Sequence, residues 1–488
     1  MQRKAISPAE ESSDIVSTRM SQAPFFRAVL LASVTAACST DDSGPTSTPS
    51  VTDPLTDAQV DYALVQALSE HGFTGRMGTM LPLRLGRPLD IRLADIGRLL
   101  FFDPLLGLNN DNSCAGCHAP QHGFGDTQSI AIGIENNGIV GPDRAGPRNQ
   151  RRTPQLLNAA YFPRLMWNSR FASRLGDPFD RRAGYLFPDP EGTSLSYMPH
   201  LLSAQAFVPP TERVEMAGLE FPGNNNDIRA EVVRRVNAVA DYKALFAKVY
   251  PEVSKSAITY DHLGNAIGEF TFSLNFANAP IDQYARGDTK AMTMSQKRGA
   301  LLFFGKAGCV GCHAVSGQSN QMFSDFRDHV IGVPQIVPAV TNVTYDGSAE
   351  NEDFGKGQFT GNIDDRYAFR TSPIRNVALQ TTFMHNGVYT RLEDAINHHL
   401  DVVYWATNYS PAAAGVAADL RGPMGPLGPI LERLDSRLRT PIELTSAEFD
   451  QLLEFVKVGL MDPAASSSKL RALIPANLPS RKQLHTFR

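Results

Sequence analysis

Apolar residues recur at spacings of three and four along most of the chain, and sustained period-two alternation is scarce, so the pattern predicts a mainly α protein. Two segments carry explicit start signals. Thr390 with Glu393 and Thr445 with Glu448 have the Ser/Thr-x-x-Glu spacing of a capping box, each followed by apolar periodicity. The stripe after Thr390 is Leu392, Ala395, Ile396, Leu400 and Val403; His399 falls on it and His398 does not, so His399 is expected to face inward. Long Gly/Pro/Asn stretches at 133–154 and 332–362 predict large functional loops between helices. The helical pattern also repeats. Gly97-Arg-Leu-Leu-Phe-Phe102 and Gly299-Ala-Leu-Leu-Phe-Phe304 each form an amphipathic segment upstream of a Cys-x-x-Cys-His, and two related domains in tandem are the simplest expectation.

The N-terminal region breaks this pattern. FFRAVLLASVTAAC, ending at Cys38, has a basic residue, a short apolar run and small residues, the layout of an export signal over 1–37 that is too short to span a bilayer. Its ending resembles a bacterial lipoprotein processing site, which makes Cys38 the lipidated residue and the exported protein lipid-anchored. Met20 offers an alternative start, because the residues before it dilute the signal. The polar, Pro/Ser/Thr-rich stretch at 38–54 has too little apolar surface for a core and reads as a tether, with the folded part starting near Leu55.

Composition changes the picture only by exclusion. With 488 residues, 42% hydrophobic and 20% charged, the chain is long enough for two or three cores. Lys and Arg number 46 against 50 Asp and Glu, a net charge of −4 with no basic run, which argues against nucleic acid as a partner.

Four of the 5 cysteines are Cys114, Cys117, Cys309 and Cys312, each pair followed at once by His118 or His313. Two thiols three positions apart with an adjacent imidazole match covalent attachment of haem c, the sulfurs adding to the vinyl groups and the histidine reaching the iron. A structural zinc site needs four converging ligands, and a redox disulfide needs a βαβ setting; neither is indicated. For the second haem's other face His399 is the first candidate and His385 the runner-up. The first motif has no comparable partner, since His122 lies four residues after His118 and on a continuing helix points to the same side. The asymmetry suggests one reactive haem with a vacant position and one electron-relay haem.

Several stretches together carry a family resemblance: GRLLFFDPLL before NSCAGCH, TPQLLNAAY, MWNSRF, AQAFVPPTERVEMAG, IDQYARGD, LLFFGKAGCVGCH, FRTSPIRN and FMHNGVYTRLEDAINHHLD. From about Pro88 to Leu460 the chain resembles the bacterial di-haem cytochrome c peroxidase superfamily, including its methylamine-utilisation branch, which oxidises a protein substrate. The resemblance implies two class I cytochrome c-like domains with long loops, placed here at 55–285 and 286–465 and followed by a tail at 466–488. It implies that His118 serves the reactive haem and His313 the relay haem, and that His399 stands where relatives carry Met or Tyr. Glu215 matches the acid/base carboxylate, Gln205 and Pro209 match pocket residues, and Trp167 matches the tryptophan between the haems. Moving a proton between the two oxygens of a peroxide is work for a positioned carboxylate, and the apolar neighbours Pro209, Pro210, Val214 and Met216 are expected to raise the pKa of Glu215.

Two departures from the family pattern matter. The loop 119–160 offers only His122 where peroxidase relatives carry a blocking histidine, which implies a reactive haem that needs no reductive activation. The family also binds calcium between its domains through an Asn and carbonyls near Thr371 and Pro373; here Arg152 stands at the Asn position, which disfavours a cation unless the side chain swings away. The resulting expectation is a periplasmic peroxidase-like oxidoreductase that reduces hydrogen peroxide with electrons from a small donor protein. Oxidation of a protein substrate and non-catalytic electron transfer are the alternatives, and a homodimer is allowed.

Overall fold

The computed structural model describes residues 55–187 and 195–488; the expected signal, Cys38 and the tether lie outside the described residues, as does 188–194 within the uninterpreted insertion at 176–200. Leu55–Arg488 form one compact unit, mainly helical as the apolar spacing predicts. The helices that position the sites are α1 (Asp57–Glu70), α2 (Ile91–Phe102), α3 (Tyr260–Ser273), α4 (Met294–Phe304), α5 (Leu392–Leu400) and α6 (Ser446–Glu454). Among the described residues no helix is long and apolar enough to cross a membrane.

The sequence repeat has a geometric cause. Helix α2 packs on α3 and α4 packs on α6, and at each crossing the repeat's glycine meets the partner's backbone. A Cβ on Gly97 would overlap the carbonyl oxygen of Ala266, and one on Gly299 that of Gln451. Only glycine permits so close an approach. The Leu-Leu-Phe-Phe that follows then buries Phe101 and Phe102 at one motif and Phe303 and Phe304 at the other. A second correspondence follows it. Asn158 and Asn376 both adopt left-handed backbone, at φ 64° and 58°, and both Nδ2 groups donate to the carbonyl of Phe276, at 3.0 and 2.9 Å.

Packing does not follow the cut at 285/286. Leu64 and Leu68 of α1, upstream of the first motif, lie in the core around the second, with Phe303, Phe304, Phe323 and Phe455. Residues 466–488 return to the first: Leu470, Leu478 and Phe487 pack with Phe102, Phe124 and Phe270, and Thr486–Phe487 pairs in parallel with Ile139–Val140. Within the core around the second motif lies a fully buried ion pair, Arg375 donating to both Asp282 oxygens at 2.7 and 2.8 Å.

The two expected capping boxes differ in outcome. Thr445 and Glu448 form theirs at the start of α6. Thr390 does not cap α5, because its hydroxyl donates to the Ala414 carbonyl at 2.6 Å and the helix begins without a side-chain cap after Arg391. The stripe also ends early. Asp401 stops α5 and caps the next helix, Val402–Thr407, which turns Val403 out to solvent.

Candidate active site

The first motif begins on the single helical turn Cys114–Cys117. His118 follows, its backbone N–H donating to the Cys114 carbonyl at 2.9 Å, and its Nδ1 bonds the carbonyl of Phe124 at 2.8 Å. The second motif repeats this arrangement: His313 N–H donates to Cys309 at 2.8 Å and Nδ1 bonds the Phe323 carbonyl at 2.9 Å. Phe124 and Phe323 both sit in the left-handed region, at φ 55° and 57°, uncommon for a bulky residue and evidence that each carbonyl is aimed on purpose. With Nδ1 donating to a carbonyl, each imidazole is in the tautomer whose Nε2 carries the lone pair, and the Pro154 carbonyl also faces the His118 ring. Burial pushes both histidines down to about 4, so both are neutral, the ligating form.

The four thiols are unpaired and half-buried, and desolvation pushes Cys114 and Cys309 up to about 12 and Cys117 and Cys312 up to about 11. Two thiols and one imidazole at each motif fall short of the four ligands of a structural zinc site.

A cavity of about 440 Å³ opens over the first motif. Cys114, Cys117, His118, Gln205, Pro209, Glu215 and Trp167, far apart in sequence, all line it. His118 is the one imidazole among the described lining residues. His122 points elsewhere: the helix does not continue past the motif, and a short turn, Pro120–His122, takes its Nδ1 to the Leu379 carbonyl at 3.3 Å. Two thioethers also border the cavity, but Met216 is buried with Ile96 and Leu100, and Met166 packs against the Leu165 and Phe171 cluster.

Glu215 sits on a π-helical turn, Arg213–Ala217. Such turns recur at functional sites because they re-aim one side chain. Asn112, just before the motif, donates to the Glu215 carbonyl at 2.7 Å and accepts from Arg144 at 2.9 Å. Beneath the turn runs Gly133, where a Cβ would overlap the Val214 carbonyl. Desolvation first, then the like charge of Glu212, pushes the Glu215 carboxyl up to about 7 against the opposing pull of Arg170. Arg170 itself is paired with Glu212 at 2.6 Å. Trp167 is buried, its indole N–H donating to the Arg152 carbonyl at 2.7 Å, while its own carbonyl accepts from the Arg370 N–H at 2.7 Å.

At the second motif a second imidazole lies close to the first. His399 on α5 bonds the Ala395 carbonyl through Nδ1 at 2.7 Å, and its ring stands 6.2 Å from that of His313, centre to centre. Two metal–nitrogen bonds of roughly 2 Å, with roughly 1 Å from each nitrogen to its ring centre, add up to about the same span. The rival histidines are otherwise engaged. His398, placed off the stripe, is in fact fully buried, with Nδ1 at the Tyr389 hydroxyl, 2.9 Å, and Nε2 at the Ile331 carbonyl, 2.7 Å. His385 stacks on Phe369 with 3.6 Å between ring centres.

Sequence reasoning missed Phe124, Phe323, Asn112, Gly133, Arg144, Glu212 and Arg170. A signal existed for the first two, since Phe124-Gly-Asp126 and Phe323-Ser-Asp325 stand at related places after the motifs. The others are tertiary neighbours without a local pattern.

Paired thiols beside a neutral imidazole, twice over, are the equipment of a c-type cytochrome. Comparison with known proteins agrees. A family model described as di-haem cytochrome c peroxidase matches residues 92–290. The methylamine utilization protein MauG of Methylorubrum extorquens is 30% identical over 66% of this chain and 72% of its own length. The cytochrome c551 peroxidase of Pseudomonas aeruginosa is 27% identical over 64% of this chain and 72% of its own. A crystal structure of a MauG-like protein associated with microbial copper homeostasis shares the fold, with a TM-score of 0.55 at 24% identity, covering 78% of this chain and 93% of that one. The chain belongs to the di-haem cytochrome c peroxidase family. Membership makes it a peroxidase-like oxidoreductase and implies two c-type haems.

Proposed function

We propose that the enzyme reduces hydrogen peroxide to water at the Glu215 cavity, using two electrons delivered one at a time by a small donor protein through the His313/His399 site. Cys114, Cys117 and His118 would hold the reactive haem, and Cys309, Cys312, His313 and His399 the relay haem. When bound, the first haem would supply peroxide-activating iron and the second an electron reservoir, with a histidine rather than a methionine at 399 favouring a lower potential. Glu215 takes a proton from one peroxide oxygen and returns it to the other, which its raised pKa suits at neutral pH. Gln205 orients the substrate by hydrogen bonding, and Pro209, Pro210 and Val214 exclude bulk water. The overall balance is one peroxide, two electrons and two protons to two waters.

The observation that carries this reading is the convergence of Glu215 and His118 on one cavity in which no other described imidazole stands. Family membership sets the pure electron carrier aside. The test is Glu215→Gln. Turnover of peroxide should fall by roughly 10²–10⁴ with haem content and resting spectrum unchanged; a variant as fast as its parent removes Glu215 from the chemistry. A protein substrate is the second reading, favoured by Trp167, which borders the cavity while its carbonyl is held by Arg370 of the other repeat. Export to the periplasm with a lipid anchor at Cys38 completes the proposal, resting on the sequence of 25–38.

A further inference from the structure

The calcium of the family has a counterpart here that is not a metal. Arg152, at the expected Asn position, does not swing away. It is buried, and its backbone N–H donates to the His385 carbonyl at 2.8 Å. Its Nε donates to the Met384 carbonyl at 2.9 Å and its Nη1 to Gln380 Oε1 at 2.9 Å. The guanidinium carbon lies 5.3 Å from the centre of the Trp167 ring. The loop after the first motif is thereby tied to the 380–385 segment of the second repeat.

The oxygens expected to receive calcium are already engaged. Thr371 O accepts from Ser324 Oγ at 2.7 Å and from Arg370 Nη1 at 3.2 Å, which uses both of its lone pairs. Pro373 O accepts from Ser372 Oγ at 3.4 Å. Arg370 is a second buried cation in the same region, its Nε on the Met166 carbonyl at 3.0 Å. Among the described residues no group of three or more His, Cys, Asp or Glu side chains could hold a metal ion. A divalent ion here would find few free oxygens and two fixed positive charges in a low-dielectric setting.

We propose that this protein has dispensed with the interdomain calcium and that the Arg152 guanidinium serves as its built-in replacement, a covalently held cation that ties the two repeats together against the face of Trp167. The inference rests on family membership and on the geometry around Arg152, and is independent of the peroxide reading. It fits the chemistry of the two cations: calcium collects oxygens from several segments, and a guanidinium donates to carbonyl and amide oxygens of several segments from a fixed fork.

Three measurements on the haem-loaded protein test it. Elemental analysis after dialysis should find less than about a tenth of a calcium per chain, where the rival expectation is a tightly held stoichiometric ion; a value near one overturns the proposal. A calcium chelator, or added calcium chloride, should leave the absorption spectrum and the thermal midpoint unchanged, and a shift with either would equally overturn it. Arg152→Asn restores an oxygen ligand and removes the charge, so added calcium should raise its thermal midpoint. An Arg152→Asn protein indifferent to calcium would show that the guanidinium does not stand where a cation belongs. If that variant fails to fold, the two measurements on the parent protein still decide the question, and neither reads peroxide turnover.

Discussion

Glu215 keeps its proton longer than an exposed glutamate because desolvation and Glu212 both oppose its charge, and they outweigh Arg170. A base must be deprotonated to begin work, so kcat/KM for peroxide should fall about tenfold per pH unit below about 7, and this limb should vanish in Glu215→Gln. The same carboxyl affects stability with a definite sign. Because its folded pKa is raised, the folded state binds more protons than the unfolded one between the ordinary glutamate value and about 7. Its contribution is therefore fully present below the ordinary value and lost as pH rises through about 7. Thermal melts should show Glu215→Gln gaining on the parent as pH rises from 5 to 8, a stability gained at the expense of activity. At this scale motif and resemblance singled out residues that the fold brings to one cavity. It hid the groups that aim them: Asn112 and Gly133 act through the backbone of a segment a hundred or so positions away in the chain, so nothing local marks them.

Among the elements, the helix pairs α2/α3 and α4/α6 rest on one glycine each. Gly97→Ala or Gly299→Ala forces a Cβ into a backbone carbonyl that has no rotamer to change, so each should destabilise the protein by about 1–3 kcal/mol or more, read as a lower thermal midpoint. The loss should be local, with Gly97→Ala perturbing the first haem's spectrum before the second's. The apolar repeat flagged these helices correctly, and it could, in hindsight, have flagged their glycines. Cap signals were less dependable. Thr390 and Thr445 look alike in sequence, yet Thr390 serves Ala414 instead, because a hydroxyl takes whichever partner the tertiary fold brings nearest. The histidine pair on α5 shows the same limit. The stripe placed His399 on the buried face and His398 off it, but His398 is the fully buried one and His399 is half-buried, since the helix is covered on more than one side.

Across the whole molecule, apolar spacing made the mainly helical character legible, while the crossing of the chain ends between the packed clusters was not. Such pairing depends on complementary surfaces formed only after the chain has folded. Phe487 makes the point. It sits 5.7 Å from Phe102, ring centre to ring centre, and its strand pairs with Ile139–Val140. Phe487→Ala should cost about 3 kcal/mol. Hydrogen exchange should quicken around 138–141 and the first haem's spectrum should change, with the second haem's unaffected; equal disturbance at both would show that the C-terminal segment serves the molecule as a whole.

That seam imposes an order on maturation. The stretch from Leu470 to Phe487 is synthesised after both motifs, yet it packs on the structure built around the earlier Cys-x-x-Cys-His. The hydrophobic cluster beside the first Cys-x-x-Cys-His is therefore complete only once residues about 350 positions downstream have emerged, so a chain halted before Leu470 would leave Phe102 and Phe124 partly uncovered.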